Sequence, residues 1–337
     1  MLLAIESSCD ETSAAVLDKT IVLSNVISSQ LFHTDHGGVI PELASRAHLQ
    51  SISAVVREAL VTANINETDL SAIAVTTEPG LIGSLLVGSN FAKGLALRLG
   101  LPIIPVHHIE GHLYSGCLED SSVEFPFVAL VVSGGHTSLF YVESYSEYQV
   151  LGSTRDDAAG EAFDKVAKLL GLGYPGGPLV DALAQKGNSS AYSFPRSMLH
   201  DGTYNFSFSG LKTSVRYFLQ KNFHEGVPSE ILPDICASVQ QAITDVLVAK
   251  AIRAAIETNV KSVVIAGGVS ANSRLRKDMN YRGQKHSIRI VAPRMSFCMD
   301  NAAMIGFLAE KKFQEQPEVY SRLDFRVQSA SLRAKRT

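Results

Sequence analysis

The stretch Leu2-Leu3-Ala4-Ile5-Glu6-Ser7-Ser8-Cys9-Asp10-Glu11-Thr12-Ser13-Ala14-Ala15-Val16-Leu17-Asp18 decides the fold. Its apolar start predicts a buried strand over residues 2–7, then a polar turn at 8–12, with further strands over 13–18 and 21–26. This is a three-strand meander with Asp10 and Glu11 at its first turn. About one domain length later the grammar returns: a strand over 128–132, the turn Ser133-Gly134-Gly135-His136-Thr137, and strands over 138–142 and 149–152. Both meanders lead into alternating helices and strands. In the first half, Leu49, Ile52, Val56 and Leu60 recur at helical spacing behind Pro41, and residues 73–75 and 103–106 read as parallel strands around a helix over 81–99. In the second half, residues 231–256 carry a long helical pattern, followed by strands over 262–266 and 288–291. Residues 187–210 have weak periodicity and many turn formers, which suits an insertion.

Two successive copies of strand-turn-strand-strand followed by βα units predict an α/β fold of two ribonuclease-H-like lobes with a central cleft. That is the arrangement of the actin, heat-shock ATPase and sugar kinase (ASKHA) group. The expected division is a first lobe over 1–110, onto which a helix over 299–320 can pack back, a second lobe over 111–320 and a basic tail over 321–337. A length of 337 residues agrees with about two domains. Hydrophobic residues at 46% against 19% charged residues exclude a disordered chain. The net charge of −3 argues against a cationic coat for nucleic acid. The short N-terminal apolar run has no basic stretch before it, and the apolar run 125–132 is far below the ~20 residues of a membrane helix. A cytoplasmic protein without a membrane partner is expected. Cys9, Cys117, Cys236 and Cys298 form no CxxC pair, so free thiols are expected.

The turn at Ser133, Gly134 and Gly135 follows a buried strand, where glycine lets backbone amides approach an oxyanion. A hairpin also uses glycine for its dihedrals alone. Gly267-Gly268-Val269-Ser270-Ala271-Asn272 likewise precedes a helix, and Asn272 is either an amide for ligand binding or a helix N-cap. Residues 156–165 form the densest acidic cluster, with Asp164 inside a helix beside the Gly-Pro-rich segment 173–178. Asp164 suits ribose hydroxyls, or equally a solvated helix face. His107-His108-Ile109-Glu110-Gly111-His112 places His108 and His112 at i,i+4, a spacing that either shares one metal ion or pairs imidazoles on a helix face. Ile109 stands where metallopeptidases of the H-E-x-x-H type carry glutamate, which argues against that chemistry. A third ligand must come from afar, and Asp300 is the best candidate; two nitrogens and a carboxylate suit Zn²⁺ or Fe²⁺.

Taken together, residues 5–12, 41–46, 107–112, 132–137, 156–165, 206–213, 267–272 and Asp300-Asn301 resemble the TsaD family, also called Kae or Gcp, of tRNA threonylcarbamoyladenosine synthases. The resemblance implies one divalent metal ion (Fe²⁺ or Zn²⁺) held by His108, His112 and Asp300. It implies contacts to an adenylate substrate from Val131, Val132, Ser133, Gly134, Gly135, Asp164, Gly177, Asp181 and Asn272. The family moves a threonylcarbamoyl group from threonylcarbamoyl-AMP to N6 of the adenosine 3′ of the anticodon, in tRNAs reading ANN codons, and releases AMP. Asp10 and Glu11 are the candidates to orient the amine. Bacterial members work with a smaller paralogous TsaB-like subunit and a TsaE-like P-loop ATPase, whereas organellar members act as homodimers. An ASKHA-type ATPase or sugar kinase, and a small-molecule carbamoyltransferase, are the alternatives. Two positions depart from the family pattern, Glu78 ahead of Pro79 and Met299 beside the proposed ligand. Arg322, Arg326, Arg333, Lys335 and Arg336 are the one basic concentration at an end, read as a phosphate contact or a solvated tail.

Overall fold

In a computed structural model describing residues 1–30, 38–224, 226–321 and 323–329, the quoted stretch folds as β1 (Leu2–Glu6) and β2 (Glu11–Asp18), antiparallel to each other. β3 (Ile21–Ser29) completes the meander. The turn is shorter than the sequence pattern suggests, because Glu11 and Thr12 already pair with β3. β1 is buried at every residue, so it reads as a continuous apolar run rather than an alternating one. After α1 (Pro41–Thr62), which has proline in its first turn, β4 (Ala72–Glu78) pairs parallel to β1. Next, α2 (Ile82–Leu99) ends at Gly100 in the left-handed conformation, φ 67°, and β5 (Ile103–His107) pairs parallel to β4. The first sheet has the order β3-β2-β1-β4-β5.

The same construction repeats. After the short helix α3 (His108–Leu113), β6 (Phe127–Val132), β7 (Thr137–Val142) and β8 (Tyr148–Ser153) form the second meander. Then come α4 (Ala159–Leu169), α5 (Gly176–Ala184), α6 (Ser209–Asn222), α7 (Leu232–Glu257), β9 (Ser262–Ala266), α8 (Ser273–Lys285) and β10 (Arg289–Val291). The sheet order β8-β7-β6-β9-β10 matches the first sheet strand for strand. The expected duplicated α/β fold is therefore present. The chain divides into one unit of residues 1–121 together with those from Met299 onward, and a second unit, Ser122–Cys298. The last helix, α9 (Ala302–Glu315), packs on β1 and β2 of the first unit.

Three segments differ from the sequence pattern. α5 and α6 are helices that the periodicity did not single out. α7 is long and apolar enough to cross a membrane, which the sequence reading did not allow for any segment. Most of its apolar stretch is buried, with Ile235, Val239, Ile243 and Leu247 inside the second unit's core. Among the described residues, no helix or strand lies between α5 and α6; side chains fix that insertion instead. Arg196 pairs with Asp245 at 2.7 Å, and the buried Lys250 ammonium meets Asp201 and the Thr203 carbonyl, each at 2.9 Å. Of the basic residues read as a tail, Arg322, Arg333, Lys335 and Arg336 lie outside the described residues, and Arg326 is exposed. The segment around it lies against the first unit: Lys93 donates to the Phe325 carbonyl at 2.9 Å, and the Gln328 amide donates to the Thr77 carbonyl at 3.0 Å.

A candidate metal centre and a cluster of glycine loops

In open α/β sheets, chemistry gathers beyond the carboxyl ends of the parallel strands. In the first unit β5 ends at His107, whose Nδ1 caps α3 by accepting the Ile109 amide, so His108 opens the helix and His112 follows one turn later. Their rings meet edge to face with centroids 4.7 Å apart. Asp300 arrives from the far end of the chain, immediately before α9. Asn301 caps that helix, and the amides of Ala302 and Ala303 donate to Ser13 Oγ and Asn25 Oδ1 of the meander, at 2.9 and 3.3 Å. These bonds fix the carboxylate over the histidines. Asp300 Oδ1 lies 3.0 Å from His112 Nε2 and 3.4 Å from His108 Nε2.

The donor atoms of His108, His112 and Asp300 lie within 4.8 Å of one another. A tetrahedral ion with ligand bonds of about 2.1 Å needs donors roughly 3.4 Å apart, so the set fits a transition metal. His112 Nδ1 is buried with no hydrogen-bond partner among the described residues. Charge points the same way. Burial would raise the Asp300 pKa, yet the two imidazoles hold its carboxyl well below the usual range. Burial would lower the His108 pKa, yet Asp300 and Glu6 raise it well above the ordinary value. Glu11, the first residue of β2, is pushed up to about 9 by burial and by Asp300, Asp10 and Glu6. So many carboxylates around two imidazoles suit a cation. Glu110 is occupied elsewhere, paired with Lys312 at 2.5 Å.

Several residues that hold this site escaped the sequence reading. Glu6, fully buried at the end of β1, accepts from the Ser8 amide, Thr76 Oγ1 and His108 Nδ1. His48 of α1 meets Thr12 Oγ1 at 2.7 Å and the Cys9 carbonyl at 2.9 Å, which clamps the first turn. A charged residue closing an otherwise apolar strand was the available signal for Glu6. Of the two departures, Glu78 has its pKa raised by partial burial and by Glu110, against Lys312. Met299 is 49% exposed.

The second unit presents a different surface at the equivalent strand ends. Val131 and Val132 are buried in β6, and beyond them Gly134 and Gly135 are exposed, with open space where a Cβ would stand. No protein acceptor meets their amides among the described residues. The N-terminus of α4 abuts this turn: the Gly160 amide donates to the Ser133 carbonyl at 3.2 Å, and a Cβ at Gly160 would lie 2.5 Å from that oxygen. Gly267, at φ +83°, passes as closely to the Val132 carbonyl. Exposed amides beside a helix N-terminus are chemically suited to receive an anion.

The other expected ligand-binding residues knit these loops together. Asp164 Oδ1 accepts the Gly176 amide at 2.7 Å, which anchors the start of α5. Burial raises the Asp164 pKa, and the amides of Gly176 and Gly177 oppose the rise. Gly177 faces open space. Asp181 accepts from the Ser273 hydroxyl at 2.7 Å and its amide at 3.2 Å. Asn272 is the N-cap of α8, accepting the Leu275 amide at 3.0 Å, while its amide group donates to Gln240 at 2.9 Å. Asp156, from the acidic cluster, clamps the start of α6 by accepting from the amides of Phe208 and Ser209 and the hydroxyls of Ser207 and Ser209.

The family model for tRNA N6-adenosine threonylcarbamoyltransferase (TsaD) matches residues 21–307. A protein of that name from Geotalea uraniireducens is 55% identical over 91% of this chain and 89% of its own. One from Thermosipho africanus is 49% identical over 94% of this chain and 95% of its own. Among solved structures, HypF from T. kodakarensis aligns with a TM-score of 0.63 at 15% identity, over 95% of this chain and 49% of its own. Component A of (R)-2-hydroxyglutaryl-CoA dehydratase from Acidaminococcus fermentans aligns at 0.56 and 16%, over 92% and 98%. These two likenesses bear on the fold alone, and it is the ASKHA type. With the family model spanning most of the chain and relatives this similar along nearly their whole length, the chain belongs to the TsaD family of tRNA N6-adenosine threonylcarbamoyltransferases.

Proposed function

We propose that this chain transfers the threonylcarbamoyl group from threonylcarbamoyl-AMP to N6 of the adenosine 3′ of the anticodon in tRNAs reading ANN codons, forming N6-threonylcarbamoyladenosine (t6A). The observation that carries this reading is the His108, His112 and Asp300 cluster in a chain 49% to 55% identical to enzymes named for the transfer. In the reaction the carbonyl carbon gains a bond to N6 and loses its bond to the phosphate oxygen; N6 gives up a proton and AMP leaves. The adenine amine is a weak nucleophile and the mixed anhydride a good leaving group, so catalysis rests on placement and on stabilising developing charge.

The residues divide that work. The exposed amides of Gly134 and Gly135 and the start of α4 receive the phosphate, with Val131, Val132 and Ser133 shaping the strand end behind them. Asp164, Gly177, Asp181 and Asn272 shape the ribose and adenine pocket through the loops they tie. Asp10 and Glu11 orient the attacking amine. His108, His112 and Asp300 would hold Fe²⁺ or Zn²⁺, which when bound supplies Lewis-acid polarisation and a template for substrate oxygens. Identity to bacterial relatives supports a smaller paralogous TsaB-like subunit and a TsaE-like P-loop ATPase as partners, with a homodimer as the alternative, acting in the cytoplasm where the tRNA is. A kinase of the same fold would hold Mg²⁺ through oxygen ligands, and the imidazole pair does not favour it.

The test supplies purified protein with threonylcarbamoyl-AMP, an unmodified tRNA transcript and the two partner proteins, followed by nucleoside mass spectrometry. The expected result is t6A at the adenosine 3′ of the anticodon. Intact tRNA beside consumed adenylate, or a carbamoylated small molecule formed without tRNA, overturns the proposal.

A further inference from the structure

The buried Glu6 is not a ligand, yet it touches one. β1 is apolar up to this last residue, and an ionised carboxylate without exposure is costly unless its oxygens are occupied. They are occupied on both sides. The Ser8 amide donates to Oε1 at 2.5 Å, and Thr76 Oγ1 donates to Oε2 at 2.5 Å. The parallel register brings Thr76 there, since Ile5 pairs with Val75 and Glu6 comes next. The remaining approach to Oε2 is His108 Nδ1, at 3.0 Å. Ser8 Oγ also lies 3.2 Å from that nitrogen.

An ionised carboxylate only accepts, so the bond requires the proton of the neutral His108 ring to sit on Nδ1. Nε2 is then the lone-pair nitrogen, and it is the one that faces Asp300. His112 has no equivalent restraint, because its Nδ1 finds no partner among the described residues. We propose that Glu6 is the positioning residue of this centre, locking His108 in the Nδ1–H tautomer and thereby setting how tightly the His108, His112 and Asp300 cluster holds a divalent ion. The proposal rests on the metal reading given above. Carboxylates that orient a metal-ligating imidazole are worth about 10- to 100-fold in metal affinity.

The decisive variant is Glu6→Gln, which keeps the volume. A glutamine amide facing His108 donates to Nδ1 and drives the proton to Nε2; turned round, it confronts the Ser8 amide with a second donor. Two readouts are taken on the full chain: Zn²⁺ and Co²⁺ affinity by competition with a chromophoric chelator, and the His108 tautomer by nitrogen-proton NMR of the metal-free protein at alkaline pH, where the ring is neutral. Glu6→Gln is expected to weaken metal binding about 10- to 100-fold and to shift His108 toward the Nε2–H form. Thr76→Val, which removes a donor to Glu6 without touching His108, is expected to weaken it less. Unchanged metal affinity with the Nδ1–H signal retained in a folded Glu6→Gln protein overturns the proposal, and so does a loss of affinity with no change of tautomer. If His108→Ala with His112→Ala leaves metal binding intact, the metal reading itself fails, while the NMR readout still decides what Glu6 does to His108.

Discussion

The two first turns of the two units occupy the same place in the same sheet order, yet they carry opposite chemistry. In the first unit the turn between β1 and β2 is acidic, clamped by His48, and packed so tightly that a Cβ at Gly80 would lie 2.4 Å from the Ser8 carbonyl. In the second, the turn between β6 and β7 carries two exposed glycines with open space where their side chains would stand. The duplicated backbone sets the same strand ends in both units. Side chains decide whether those ends suit a cation or an anion.

The strongest way to break this contrast is to empty the cationic half. His108→Ala combined with His112→Ala should abolish bound metal, measured by elemental analysis, and lower t6A formation on the order of a thousandfold, the several kcal/mol a Lewis acid supplies. Calorimetry should show adenylate affinity of the second unit's loops largely kept; an equal loss of both would end the division of labour. The reverse experiment is Gly134→Ala with Gly135→Ala. Open space at both positions predicts a stability change within about 0.5 kcal/mol. Adenylate affinity should fall about 10- to 100-fold, the loss of charge-assisted amide bonds, with metal content unchanged.

The smallest effect sharpens the comparison at the scaffold. Asp156→Ala removes the clamp on α6 and should cost about 1 kcal/mol, as lost helix caps do, or about 3 °C in Tm. Burial would raise the Asp156 pKa, but bonds from Ser207, Phe208 and Ser209 lower it below the ordinary value. A carboxyl depressed in the folded state stabilises above its unfolded pKa of about 3.9 and loses that contribution as pH falls through the folded value. The Tm gap between the two proteins should therefore be constant near neutrality and close below about pH 4. A gap that widens in acid would show that Asp156 is not held as a carboxylate.

What the sequence made legible was periodic or local. Both meanders, α1, α2, α7 and the His108 and His112 spacing follow from patterns a few residues long. The supports of the site do not. Glu6 and His108 are 102 residues apart, Asp156 and Phe208 are 52 apart, and Thr12 and His48 are 36 apart. Neither residue of such a pair announces the other, because the register that joins them exists only once the sheet has formed. The insertion around Arg196 was opaque for a related reason: ion pairs and buried aromatics hold it, without periodicity.

The return of α9 to the first sheet has a consequence for how the protein is made. Asp300 lies 188 residues after His112, and the whole second unit is encoded between them. On the ribosome the first unit emerges with two imidazoles but without the Asp300 carboxylate, and it stays so until the second unit has been synthesised. A chain cut short before α9 would thus lack one of the three side chains suited to an ion, and the cluster is complete only once translation has passed the second unit.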